Sequence, residues 1–133
     1  MDSNNLHFII VDDSKLDCFI AEKVIQNSGK DLNVKSFLLA TDSLEFIKTV
    51  PTRNDDFKIF LLVDIQMPLM NGFEFLEQFE TLHADIQSRY VVYILSSSIN
   101  ENDINKARRH PSVIEFLNKP ITFSSIAGLI ENL

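Results

Sequence analysis

Residues 8–13 read Phe8-Ile9-Ile10-Val11-Asp12-Asp13, an apolar run that stops abruptly on two acids. Residues 59–64, Ile59-Phe60-Leu61-Leu62-Val63-Asp64, repeat the arrangement. Short runs so uniformly apolar fit strands covered on both faces, the situation of a parallel sheet. As parallel strands they would bring Asp12, Asp13 and Asp64 together at one edge of that sheet. Like charges held close repel unless a cation sits among them. The two runs therefore predict an α/β fold with an acidic, metal-binding pocket.

Working outward, strand-length apolar runs alternate with segments of helical period, the mark of βαβ units. The strands are expected at 6–11, 33–39, 58–64, 90–95 and 113–117. Two of them carry a charge inside the run, Lys35 and Glu115. Charges of this kind discourage pairing with other chains and mark the edges of a sheet. Two edge strands and three central ones predict an open five-stranded sheet.

Five helices fill the intervals. Leu16, Ile20 and Val24, flanked by Ala21 and Ile25, predict the buried stripe of the first. Leu44, Ile47 and Val50 mark the second, with Asp42 and Glu45 as a capping box. Asn71 with Glu74 starts the third, which buries Phe75, Leu76, Phe79 and Leu82. The helix near 100–109 has only Ile104 and Ala107 as apolar residues, so it should be loosely held and able to move. The last follows Thr122 and shows Ile126, Leu129, Ile130 and Leu133 on one stripe. Pro51 to Lys58 reads as a polar, Pro-interrupted loop.

Composition narrows the class. The chain has 133 residues, 45% hydrophobic and 23% charged, which suits one globular domain spanning 1–133 with its own core. A net charge of −7 argues against a nucleic-acid surface. The compact basic cluster Arg108-Arg109-His110 reads as favourable charge at a helix C-terminus. No segment has the length of a membrane span, and the N-terminus is polar and acidic, unlike a secretory signal. The single cysteine, Cys18, suits a reducing cytoplasm and reads as a small core side chain.

In open parallel sheets, ligands bind beyond the carboxyl ends of the strands, where strand order reverses. There the sequence offers Asp12 and Asp13, Asp64, Ser96-Ser97-Ser98, and Asn118-Lys119-Pro120. Hard oxygen donors with open positions suit Mg²⁺, and the lack of His or Cys nearby disfavours zinc. Carboxylates, Mg²⁺, a lysine and a hydroxyl together can hold the oxygens of a transferring phosphoryl group. One carboxylate can itself act as nucleophile. With glycine only at 29, 72 and 128, P-loop and dinucleotide fingerprints are excluded.

The chain resembles the receiver domain of two-component response regulators along nearly its whole length. The matching pieces are Val11-Asp12-Asp13, Val63-Asp64-Ile65-Gln66-Met67-Pro68 with Asn71-Gly72, Ile94-Leu95-Ser96-Ser97, and Phe116-Leu117-Asn118-Lys119-Pro120. Each ends an expected strand, and they come in the family's order. The resemblance implies a flavodoxin-like fold with strand order 2-1-3-4-5, in which the strands marked as edges by their charges are the edges.

By the same resemblance Asp64 is the phosphoacceptor, and Asp12, Asp13, Asp64 and the backbone carbonyl of Gln66 hold Mg²⁺. Lys119 pairs with the acyl phosphate and precedes Pro120, a usual site of a cis bond in the family. Ser96 is the hydroxyl that moves toward the phosphoryl oxygens, and Phe116 is the aromatic switch, here without the hydroxyl of a tyrosine. Gln66 and Ser98 match positions that tune hydrolysis, and Ser97 stands where Ala or Gly is common. Pro68 and Gly72 read as structural.

These expectations describe a cytoplasmic phosphoacceptor regulator that assists its own phosphorylation and dephosphorylation rather than an enzyme. Its donor would be a sensor histidine kinase or a histidine phosphotransfer protein, and a downstream protein would land on the 100–133 face. With nothing left over for an output domain, the output would be protein contact. One alternative is a phosphorelay shuttle. Another is a Mg²⁺ phosphatase like the haloacid dehalogenases, but those carry an acid two residues after the nucleophile, where this chain has Gln66.

Overall fold

Side-chain alternation along the central strands sets the layers of the molecule. The computed structural model describes residues 6–28, 31–50, 58–97 and 100–131. Its first elements are β1 (Phe8–Val11), α1 (Lys15–Gln26), β2 (Val34–Phe37), α2 (Ala40–Thr49) and β3 (Ile59–Asp64). There follow α3 (Gly72–Phe79), α4 (Ala84–Gln87), β4 (Tyr90–Ser96), α5 (Glu101–Arg108), β5 (Val113–Asn118) and α6 (Phe123–Glu131). Phe8, Ile10, Phe60, Leu62, Tyr93 and Leu95 point into one core with α1 and α6. Ile9, Val11, Leu61, Val63, Val92 and Ile94 point into the other with α2 and α3. Both faces are covered, which is why β1 and β3 read as unbroken apolar runs.

All strand pairs are parallel, in the order β2-β1-β3-β4-β5. Lys35 and Glu115 do lie on the two edge strands, and both are exposed. Strand ends agree with the sequence reading to within one or two residues, the usual fraying of such boundaries. Most of Pro51–Lys58, together with Ser98 and Leu133, lies outside the described residues.

Three expectations need correction. The buried stripe of α1 is Cys18, Ala21 and Ile25, not Leu16, Ile20 and Val24. Leu16 is 66% exposed, and Phe19 and Ile20 are exposed beside it. The helix carries two apolar stripes, and periodicity cannot choose between them; the sheet takes the one with small residues, Cys18 and Ala21. Secondly, α2 begins at Ala40 with Leu39 as its N-cap, so Asp42 lies in the first turn and makes no capping box. Glu45 pairs instead with Lys48 at 3.3 Å. Thirdly, the single turn α4, capped by His83, makes six helices rather than five among the described residues.

The start of α3 follows the sequence reading. Asn71 and Glu74 form a reciprocal capping box, with bonds of 2.9 and 3.0 Å. Leu69 in the preceding loop adopts a positive φ of 69° and is almost fully exposed. Gly72 donates its N–H to Ile65 O at 2.8 Å, pulling α3 against the end of β3. A Cβ on Gly72 would stand 2.6 Å from Asp64 O and 2.9 Å from Ile65 Cα, both backbone atoms that cannot step aside.

Gly72→Ala should therefore lower stability by about 1–3 kcal/mol through overpacking, read as a shift in the denaturant midpoint. A variant as stable as the wild type would show that the loop after β3 yields freely.

Candidate functional site

Register places the acids. Val11 pairs with Val63 across β1 and β3, so the next residue of each strand, Asp12 and Asp64, comes out side by side. Neighbouring strands lie roughly 4.8 Å apart, and strand order reverses at this point in the sheet, where open α/β folds bind ligands. Asp13 joins them: one carboxylate oxygen from each of Asp12, Asp13 and Asp64 falls within 4.8 Å of the other two. Asp12 and Asp64 are buried, whereas Asp13 is exposed.

Lys119 arrives from the end of β5, where its peptide bond to Pro120 is cis. Its backbone N–H donates to Ser96 O at 2.9 Å, which ties this loop to the end of β4. The ammonium Nζ reaches 2.5 Å from Asp12 Oδ2, 2.9 Å from Asp17 Oδ2 and 3.2 Å from Asp64 Oδ1. Three N–H donors meet three carboxylates. Asp12 is further fixed by the Ser14 N–H, which donates to its Oδ1 at 3.0 Å.

The charges do not balance. Burial, followed by the Asp12 and Asp13 charges, pushes the Asp64 carboxyl up to about 6 against the pull of Lys119. Burial alone would lower Lys119, but hydrogen bonds to Asp12 and Asp17 and the carboxylate charges hold it above its usual range. Cys18, whose thiol donates to Asp12 O at 3.4 Å, is pushed up to about 11, first by burial and then by Asp12. It is an inert core thiol, as read from the sequence.

The donor set fits a hard divalent cation. It consists of carboxylate oxygens without imidazole or thiolate, one of them exposed, and it carries more negative charge than Lys119 neutralises. Gln66, two residues beyond Asp64, is exposed on an open cleft shared with Met67, Asn71, Phe73, Asp103 and Lys106. Ser96 ends β4 and is buried, and Ser97 lines a cavity beside Lys119. Phe116 sits within β5 opposite Ile94, half-buried against the α2–α3 core. Ser98 lies outside the described residues.

Sequence reasoning missed Asp17. Its signal was present: an acid in the first turn of the helix that leaves the acidic strand end, one turn beyond Asp13. A second missed group joins α3 to the turn before β5. Glu80 accepts from the Ser112 N–H at 3.2 Å and from the Ser112 hydroxyl, and its other oxygen lies 2.9 Å from His110 Nδ1. Burial alone would raise Glu80; the bonds from Ser112 and His110 outweigh it and hold the carboxyl below its usual range.

Because the folded Asp64 binds its proton more tightly than the unfolded chain does, metal-free stability should rise as pH falls from about 7 toward about 4. Asp64→Asn removes that charge. With the carboxyl raised from 3.8 to about 6, at roughly 1.4 kcal/mol per unit, the variant should be more stable near neutral pH, by an amount on the order of 1–3 kcal/mol. Denaturant unfolding in chelator at two pH values checks this; a variant less stable at neutral pH would show that Lys119 fully compensates the charge.

The match to known proteins agrees with this geometry. The model of the response regulator receiver domain matches residues 8–131. The chain is 31% identical over 130 residues to the cyclic di-GMP phosphodiesterase response regulator RpfG of Xanthomonas campestris, covering 96% of this chain and 32% of that protein. It is 35% identical over 105 residues to a protein-glutamate methylesterase/protein-glutamine glutaminase of Treponema pallidum, covering 74% of this chain and 22% of that one. The chain thus spans a third or less of these curated relatives. A response regulator receiver protein from Dyadobacter fermentans superposes with a TM-score of 0.85 at 31% identity, covering 96% of both chains. A two-component response regulator from Cytophaga hutchinsonii gives 0.83 at 21% identity, covering 95% of this chain and 94% of that one. From residue 8 to residue 131, then, this chain belongs to the response regulator receiver domains.

Proposed function

We propose that Asp64 is the phosphoacceptor of a two-component signalling pathway. The observation that carries this reading is the Lys119 ammonium 3.2 Å from Asp64 and 2.5 Å from Asp12, at the edge of a three-carboxylate cluster. A histidine kinase or phosphotransfer protein presents phosphohistidine. An Asp64 oxygen attacks phosphorus, the new O–P bond forms, the N–P bond breaks, and the imidazole leaves with the electron pair. Buried and flanked by carboxylates, Asp64 is a poorly solvated nucleophile whose charge Lys119 directs.

Asp12, Asp13 and Asp64, with the backbone carbonyl of Gln66, would hold Mg²⁺. The ion supplies charge neutralisation for the transferring group. Lys119 then pairs with the phosphoryl oxygens, and the Ser96 hydroxyl, at the end of β4, is the second donor. The added charge, about −1.5 to −2, is what biases the surface of α5, β5 and α6. The fit of α5 to such a role lies in its packing: Ala107 is its one buried residue. Phe116 on β5 is the aromatic whose packing changes with that surface, and a protein partner reads the change.

Incubation with acetyl phosphate and Mg²⁺ should add one phosphate to the wild type by intact mass and none to Asp64→Asn. A wild type that gains no phosphate, or an Asn variant that gains as much, overturns the assignment. Multiple-turnover hydrolysis of a small phosphate ester would point instead to a phosphatase.

A further inference from the structure

Lys119 has three carboxylate partners, and they are not equally able to let it go. Asp12 is 1% exposed and its two oxygens are both engaged, by Ser14 N–H and by Lys119. Asp64 is the residue to be phosphorylated under the reading above. Asp17 differs from both. Its side chain is 39% exposed, it sits on α1 rather than at a strand end, and it lies outside the three-carboxylate cluster. Beside it a cavity of about 180 Å³, bounded by Ile20, Ala21, Ser97, Pro120 and Ile121, gives it room to turn. Breaking a buried pair leaves an uncompensated charge in a dry site. Releasing a half-exposed carboxylate to water does not.

A phosphoryl group on Asp64 brings several new acceptor oxygens and more negative charge within reach of the same ammonium. Substituting for the Asp64 contact frees a single donor. Asp17 occupies another donor on the α1 side and adds a like charge close by.

We propose that Asp17 is a positioning residue that competes with the phosphoryl group for Lys119, holding the ammonium toward α1 and opposing phosphorylation of Asp64. This rests on Asp64 being the phosphoacceptor. Two consequences follow in opposite directions. Without Asp17, Lys119 is free for the phosphoryl oxygens, so the phosphorylated form gains. In the unphosphorylated protein the ammonium falls back on Asp12 and Asp64 and one negative charge is lost, so Mg²⁺ binds more weakly.

The test uses the full chain as wild type, Asp17→Asn, Asp17→Glu and, should the Asn variant fold poorly, Asp17→Ser. With acetyl phosphate below saturation and Mg²⁺ in excess, Asp17→Asn should reach at least threefold higher phosphorylated fraction by intact mass, and Asp17→Glu should return to the wild-type level. Calorimetric titration with Mg²⁺ alone should show at least twofold weaker binding to Asp17→Asn, restored in Asp17→Glu. A phosphorylated wild type with Asp17→Asn equal or lower overturns the role of Asp17 alone, as does unchanged Mg²⁺ affinity. A wild type that takes no phosphate removes the phosphoacceptor reading, and this one with it.

Discussion

The parallel register of β1 on β3 is the constraint on which the rest depends. Pairing Val11 with Val63 fixes the backbones of Asp12 and Asp64 side by side, so both carboxylates start from one point at the strand ends. A slip by one residue would turn Phe8, Ile10 and their neighbours toward the wrong core, because alternate residues serve opposite faces. Each such side chain contributes about 1.5–3 kcal/mol by burial, so the core residues hold the register and the acids follow it. Repulsion between the acids is a consequence that the sheet imposes.

Compensation comes from the other side of the sheet. Lys119 follows β5, an edge strand, and crosses in front of β4 to reach acids on β1 and β3. Its backbone is fixed by the bond to Ser96 O, so the ammonium stays in place. One lysine against Asp12, Asp13, Asp64 and Asp17 leaves a deficit of positive charge. The Asp64 carboxyl is raised first by burial and then by the neighbouring carboxylates. A buried site left with excess negative charge is stabilised by any cation it binds.

The acids, the two edge strands and the start of α3 were legible because they rest on short-range signals: strand-end residues, charges at Lys35 and Glu115, and the Asn71–Glu74 box; the full strand order came with the family resemblance. What failed shares a different cause. Leu16, Ile20 and Val24 form as good a helical stripe as Cys18, Ala21 and Ile25, and the choice belongs to packing against the sheet. Asp42 has the spacing of a capping box, yet Ala40 is buried against the core and draws α2 back past it. The single turn α4 has too few residues for a period to show. Asp17 escaped because its partner lies 102 residues away, and first-turn acids ordinarily need no partner beyond the helix dipole.

The uneven anchoring of α5 completes the physical picture. Its body adds little to the core, with Ala107 buried and Ile104 half-buried. Its far end is tied more firmly. Glu80 collects Ser112 and His110, the His110 ring stacks on Phe73 with centroids 6.1 Å apart, and Lys106 sits 4.6 Å over the same ring. These contacts join α5 and the start of β5 to α3, the helix that Gly72 packs against the backbone of Asp64. A helix with a weak apolar hold is thus linked through polar and aromatic contacts to the strand end that bears the candidate phosphoacceptor. Displacing α5 would forfeit few buried methylenes, so its hold on the rest of the fold rests largely on these polar and aromatic contacts.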